Sequence, residues 1–202
     1  ILFHIMRQLS AFLLAFLFLA PFVFTEAQEV WTWRNPIPKG ENLSGIAYGN
    51  DTYVAVGNAG TILTSADGQN WEEQITPVSG NRGASLKAVA FGNGFFAAVG
   101  IEGTILFSRN GKDWGIQTSG TRIQLNGISF GNGRFVAVGS RGIILSSIDA
   151  QNWDLSIVNN EGHEYSDVTF GNGIYVAVGM DGVIISSTDG DNWIPQVSGT
   201  TN

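Results

Sequence analysis

Residues 125–153 read LNGISFGNGRFVAVGSRGIILSSIDAQNW, and nearly the same line occurs four times. The other copies are residues 43–71 (LSGIAYGNDTYVAVGNAGTILTSADGQNW), 86–114 (LKAVAFGNGFFAAVGIEGTILFSRNGKDW) and 165–193 (YSDVTFGNGIYVAVGMDGVIISSTDGDNW). Each closes on a tryptophan: Trp71, Trp114, Trp153 and Trp193. Within a copy, Leu125, Ile128 and Phe130 make a first apolar strand, and a Gly-Asn-Gly turn follows. Asn-Gly supplies the positive-φ pair of a type I′ hairpin. Phe135–Val138 is apolar on both faces, as a strand between packed layers would be. A second Gly-containing turn leads to a third strand, and a fourth is expected to start at the tryptophan.

Four antiparallel strands repeating about every 40 residues is the pattern of a propeller blade. The expected fold is therefore all-β, a β-propeller of four-stranded antiparallel blades. The repeats are expected at residues 43–85, 86–124, 125–164 and 165–202. Residues 28–42 hold a further outer-type strand (VWTWRNPIP, 30–38) and a loop. Four copies already own a fourth strand, so this extra strand leads to the expectation that the chain is the N-terminal fragment of a larger ring.

Composition narrows the function classes. The chain has 202 residues, 13% of them charged, 27 glycines, no cysteine and a net charge of −7. The few basic residues are scattered, which excludes nucleic acid as a partner. Absence of cysteine excludes disulfide and thiolate chemistry. Residues 1–27 carry a basic start from Met6, an apolar run from Ala11 to Phe24 interrupted by Pro21, and small residues at Thr25 and Ala27. This is the layout of a secretory signal, with cleavage expected after Ala27. The expected product is secreted or periplasmic, monomeric, and not inserted in a membrane after cleavage.

The seven residues SADGQNW (65–71) recur as SRNGKDW, SIDAQNW and STDGDNW. The motif resembles the Asp-box, or bacterial neuraminidase repeat, of sialidase-like propellers. The whole unit is most similar in style to secreted proteins of the photosystem II stability-factor type. The elements of that motif are Ser65, Asp67, Gly68 and Trp71; Ser108, Asn110, Gly111 and Trp114; Ser147, Asp149, Ala150 and Trp153; Ser187, Asp189, Gly190 and Trp193. Turn chemistry accounts for all of them: carboxylate and hydroxyl accept backbone N–H groups, and glycine takes a positive φ. Asn110 stands where the others have Asp, so no charge is required. Ala150 stands where the others have Gly, and Ala150→Gly is expected to stabilise the chain by relieving a left-handed backbone.

No catalytic, cofactor-binding or metal-ligating residue is assigned. The resemblance to sialidases implies an arginine triad, and Arg34 in WRNPIP is its one faint echo. DGDN at Asp189 lacks the ligand pattern of a calcium loop. The cluster Glu161, His163 and Glu164 lacks rigid metal spacing. In propellers of this family, the loops between blades share a face with the turns between second and third strands. That face holds the positions at which the copies differ: Arg34, Asn58, Arg82, Glu102, Arg122, Arg141, Glu161, His163, Glu164 and Asp181. The expectation is a non-catalytic propeller binding a protein or glycan at the cell envelope there, the alternative being a sialidase-like glycoside hydrolase.

Overall fold

A computed structural model describes residues 41–157 and 162–200. The expected signal segment, the strand expected at 30–38, Arg34 and Glu161 lie outside them. The first blade comprises β1 (Leu43–Gly49), β2 (Thr52–Gly57), β3 (Ile62–Ser65) and β4 (Glu72–Glu73). The second comprises β5 (Leu86–Gly92), β6 (Phe95–Gly100), β7 (Ile105–Ser108) and β8 (Gly115–Gln117). The third holds β9 (Leu125–Gly131), β10 (Arg134–Gly139), β11 (Ile143–Ser147) and β12 (Asp154–Ile157). The fourth holds β13 (Tyr165–Gly171), β14 (Ile174–Gly179), β15 (Ile184–Ser187) and β16 (Ile194–Gln196). Each is an antiparallel sheet with its strands in chain order. The fourth strand starts one residue after the tryptophan, because the indole closes the turn before it.

The hairpins follow from their residues. Asn93 and Gly94 have φ of 49° and 79°, and Asn132–Gly133 and Asn172–Gly173 are alike. In the first blade Asn50 and Asp51 take the same positive pair, since short polar side chains tolerate that region. In β10, Phe135 pairs with Phe130 across the hairpin and with Ser147 on the other side.

The core lies between blades. Val54 and Val56 of the first pack with Leu86, Val89, Phe96, Ala98, Leu106 and Trp114 of the second. Ala97, Val99 and Ile105 pack in the same way on Leu125, Ile128, Phe135 and Leu145. Val136, Val138 and Ile144 pack on Tyr165, Val168, Tyr175 and Ile185. The innermost strands touch in series: β1 on β5, β5 on β9, β9 on β13. No packing of that extent joins β13 to β1 among the described residues. These are four consecutive blades of a β-propeller.

Candidate functional site on the loop rim

The two rims are separated by backbone bonds. The first residue of each turn between second and third strands donates its N–H to the residue before the first strand. These are Asn58 to Asn42 (2.9 Å), Ile101 to Ser85 (3.0 Å), Ser140 to Gln124 (3.0 Å) and Met180 to Glu164 (2.9 Å). The interblade loops and these turns therefore form one rim. The seven-residue motifs lie at the other, where Asn50 Nδ2 donates to the Arg109 carbonyl of the next blade, 2.9 Å.

On the opposite rim the motif is a self-bonded turn. Ser65 Oγ accepts the N–H groups of Asp67 and Gly68, and Asp67 Oδ1 accepts those of Gln69 and Asn70, both at 2.8 Å. Asn70 Nδ2 donates to Asp67 Oδ2, and Trp71 Nε1 to the Gly68 carbonyl. Ser187, Asp189, Asn192, Trp193 and Gly190 repeat the pattern, and so do Ser147, Asp149, Asn152, Trp153 and Ala150, where Ser147 Oγ accepts the Asp149 N–H. The backbone N–H three residues on is the main cause that holds Asp67 and Asp189 well below the usual carboxylate range and lowers Asp149 to about 2. Ser108, Asn110, Gly111 and Trp114 build the same turn without that charge. A recess of about 640 Å³ adjoins it, lined among others by Arg109, Asn110, Asp113 and Trp114. Asn110, Asp113 and the Trp114 N–H are already committed to the turn's own bonds.

On the loop rim a cleft of about 580 Å³ lies at the second blade. It draws from three separate segments: Asn81, Gly83 and Ala84; Glu102 to Thr104; and Ile116 to Arg122. Gly103 is pinned there, since a Cβ would meet Ser119 Oγ at 2.8 Å. Ser119 Oγ donates to the Thr121 carbonyl, 3.1 Å, shaping the far wall. Asn81 Oδ1 accepts the Gly83 N–H, 2.9 Å, shaping the near one. Its described lining offers amide, hydroxyl and apolar surface, with the Glu102 carboxylate and the Arg122 guanidinium. Both are exposed.

The expected binding positions therefore do not converge on one point. Glu102 and Arg122 share the cleft, and Arg82 follows Asn81 in the short turn that forms its near wall. Arg141 belongs to the next blade, where the Gly142 N–H donates to the His163 carbonyl, 2.6 Å. Glu164 lies beside His163, and Asp181 stands one blade further on. Asn58 is not the counterpart of Glu102. That place belongs to Ala59, because the left-handed residues of the four turns are Ala59 (φ 53°), Glu102 (54°), Arg141 (56°) and Asp181 (55°). Glu102, Arg141 and Asp181 are exposed side chains held in a backbone region that disfavours them. Such strain clusters where a surface is used. The sequence placed Asn81, Ser119 and Thr121 on this rim only within whole interblade loops, without singling them out, and it missed Gln117. The signal was the recurrence of Ser-Gly after the first, second and fourth blades, at Ser79-Gly80, Ser119-Gly120 and Ser198-Gly199.

Among the described residues no three His, Cys, Asp or Glu side chains converge to hold a metal ion. No family model and no curated protein matches the sequence. Solved structures do match. YCF48 bound to a D1 peptide is 18% identical, with a TM-score of 0.61 over 85% of this chain and 58% of that one. Streptogramin B lyase is 13% identical, with a TM-score of 0.68 over 81% and 56%. The computationally designed Ika4 protein is 16% identical, with a TM-score of 0.60 over 78% of this chain and 98% of that one. At these identities the likeness is one of fold, the β-propeller. The chain spans little more than half the length of the first two.

Proposed function

We propose that this chain is an exported propeller that binds an extended peptide segment of a partner protein on its loop rim, at the cell envelope. The cleft at the second blade carries the reading. Its amide and hydroxyl walls suit backbone recognition, and Glu102 and Arg122 offer one charge of each sign for flanking side chains. YCF48, a structure of similar fold, is bound to a D1 peptide, which supports a peptide as the ligand class. The signal layout of residues 6–27 supports export. Glycoside hydrolysis needs two carboxyl groups at a set separation. Among the described residues the cleft presents one, Glu102, so its described lining gives the hydrolase reading no support.

The test is selection of random peptides on the immobilised chain, followed by titration of the selected peptides against the Glu102→Gln/Arg122→Gln variant. Selected peptides should bind the parent chain and lose at least about tenfold in affinity with the variant, the effect of about 1.4 kcal/mol. Equal binding by both would place recognition elsewhere. A positive glycan array with no peptide selected would replace the peptide by a glycan.

A further inference from the structure

The outermost strand of a blade is bonded on one side only, and such an edge recruits other extended chains unless charge or proline guards it. Three of the four described edges are guarded. β4 is Glu72-Glu73, β12 opens on Asp154 and β16 carries Pro195. β8 is Gly115-Ile116-Gln117, with neither a charge nor a proline. Among the described residues β7 is its one partner strand. The second blade packs on the first and on the third, so this edge does not depend on the ends of the chain.

Register fixes which groups the edge displays. In the first blade the Gln74 N–H donates to the Ile62 carbonyl, 2.9 Å. Gln117 faces Ile105 at the same place in the second blade, and Ile116 faces Leu106. An antiparallel ladder alternates bonded with non-bonded pairs. The N–H and C=O of Ile116 therefore point away from β7. Pro195 holds the matching place in the fourth blade, opposite Ile185. A residue without an N–H fits there because that N–H has no bond to make inside the sheet.

The two recesses of the second blade meet at this strand. Ile116 and Gln117 line the loop-rim cleft, and Gly115 and Gln117 line the recess at the motif rim. The motif-rim recess also presents Arg109 and Lys112, whereas the other three motifs hold no basic residue. The Arg109 guanidinium lies over the Phe95 ring, 5.1 Å from its centroid. Among the described residues neither Arg109 nor Lys112 has a carboxylate partner. We propose that the peptide held in the loop-rim cleft continues along β8 as an added strand, bonded to the Ile116 backbone, and presents an acidic side chain to Arg109 and Lys112. In strand addition the main chain supplies affinity, and pockets for alternate side chains supply specificity. This mode of binding rests on the peptide reading of the cleft and adds to it a course and a charge.

Peptides selected on the immobilised chain test it, together with hydrogen exchange at the Ile116 amide. Selected sequences should carry Asp or Glu toward one end, and their binding should slow exchange of the Ile116 N–H. N-methylation along such a peptide should cost at least about tenfold in affinity at alternate residues only, as a paired strand requires. Ile116→Pro should keep its circular dichroism, since Pro195 fits the same place, and should lose at least about tenfold in affinity. Ile116→Val, which keeps the N–H, should bind as the parent does. Arg109→Gln/Lys112→Gln should bind more weakly, by a margin that shrinks in high salt. Peptides lost with Glu102→Gln/Arg122→Gln but indifferent to Ile116→Pro would overturn strand addition and leave binding in the cleft standing. Failure to select any peptide would overturn both. An Ile116 amide already protected without peptide would overturn it in favour of a strand from this chain or from a second copy, which sedimentation velocity tells apart.

Discussion

Asn110 donates from Nδ2 to Asp113 Oδ2 at 2.7 Å, and this contact is the mirror of its three counterparts. In the other motifs the acceptor comes first and the amide second: Asn70 to Asp67, Asn152 to Asp149 and Asn192 to Asp189, each 2.8 Å. The second blade has exchanged the two residues and kept the bond. The pair is therefore the conserved unit of the turn within this chain, whichever member carries the charge.

Asn110→Asp alone should place two carboxylates side by side. It is expected to destabilise by about 1–2 kcal/mol, the range for coupled polar neighbours. Adding Asp113→Asn should recover most of the loss, because it recreates the arrangement of the other three turns. Urea unfolding of the two single variants and the double one measures the coupling.

Acid should weaken the fold through Asp67, Asp149 and Asp189. Their folded-state pKa values lie below the ordinary value, Asp149 at about 2. The stabilisation is fully present above the unfolded value of about 3.9 and is lost as pH falls through the folded ones. All three are largely solvent-exposed, so screening keeps each contribution small. The unfolding midpoint should hold from neutral pH to about 5 and decline between about 4 and 2. Asp149→Asn should make that decline shallower, and an unchanged slope would count against the turn as its source.

Ala150 answers to its neighbour across the blade interface. Its φ is 58°, and it is fully buried in the cluster that holds Ala97. A Cβ on Gly111 would meet Val54 at 3.0 Å, and one on Gly190 would meet Val136 at 2.9 Å. At the matching place the second blade has Ala97. The two methyls absent there, relative to Val54 and Val136, make room for the methyl gained at Ala150. Relief of the left-handed backbone, about 1 kcal/mol, is offset by losing a buried methyl, about 0.8 kcal/mol. Ala150→Gly should therefore be near neutral rather than stabilising. Ala97→Val should cost about 1–3 kcal/mol by overpacking, and the double variant should be at least as stable as the parent in thermal unfolding.

Glu102→Gly and Arg141→Gly should each stabilise the chain by up to about 1 kcal/mol, since only the backbone strain changes at these exposed residues. For a chain of this size that is a rise of about 2–4 °C in Tm. Glu102→Gly should at the same time weaken any peptide held in the cleft, which separates stability from use.

Gly131→Ala should cost about 1–3 kcal/mol, because the new methyl enters the Phe170 ring. Gly171→Ala meets open space in the single chain and should leave its circular dichroism unchanged. Equal losses of stability for the two substitutions would show that ring-on-glycine packing is not what the first requires.

Much of this protein was determined locally. Strand count, hairpin type and the bonded turn at Asp67 depend on residues a few positions apart, so a single repeat states them and four copies corroborate one another. The spacing of Asn110 and Asp113 shows even their exchange. The cleft was less legible. Asn81, Glu102 and Arg122 are far apart in the chain and meet only because one blade's exit loop lies against its own turn. That Ala59, not Asn58, stands opposite Glu102 is already legible in the aligned copies; the backbone added that this residue of each turn is the left-handed one. The fit of Ala97 to Ala150, and the contrast between a covered Gly131 and an open Gly171, belong to pairs of blades. Burial arises where two surfaces meet, and a repeat read alone cannot say what stands on its other side; the tertiary structure decided that.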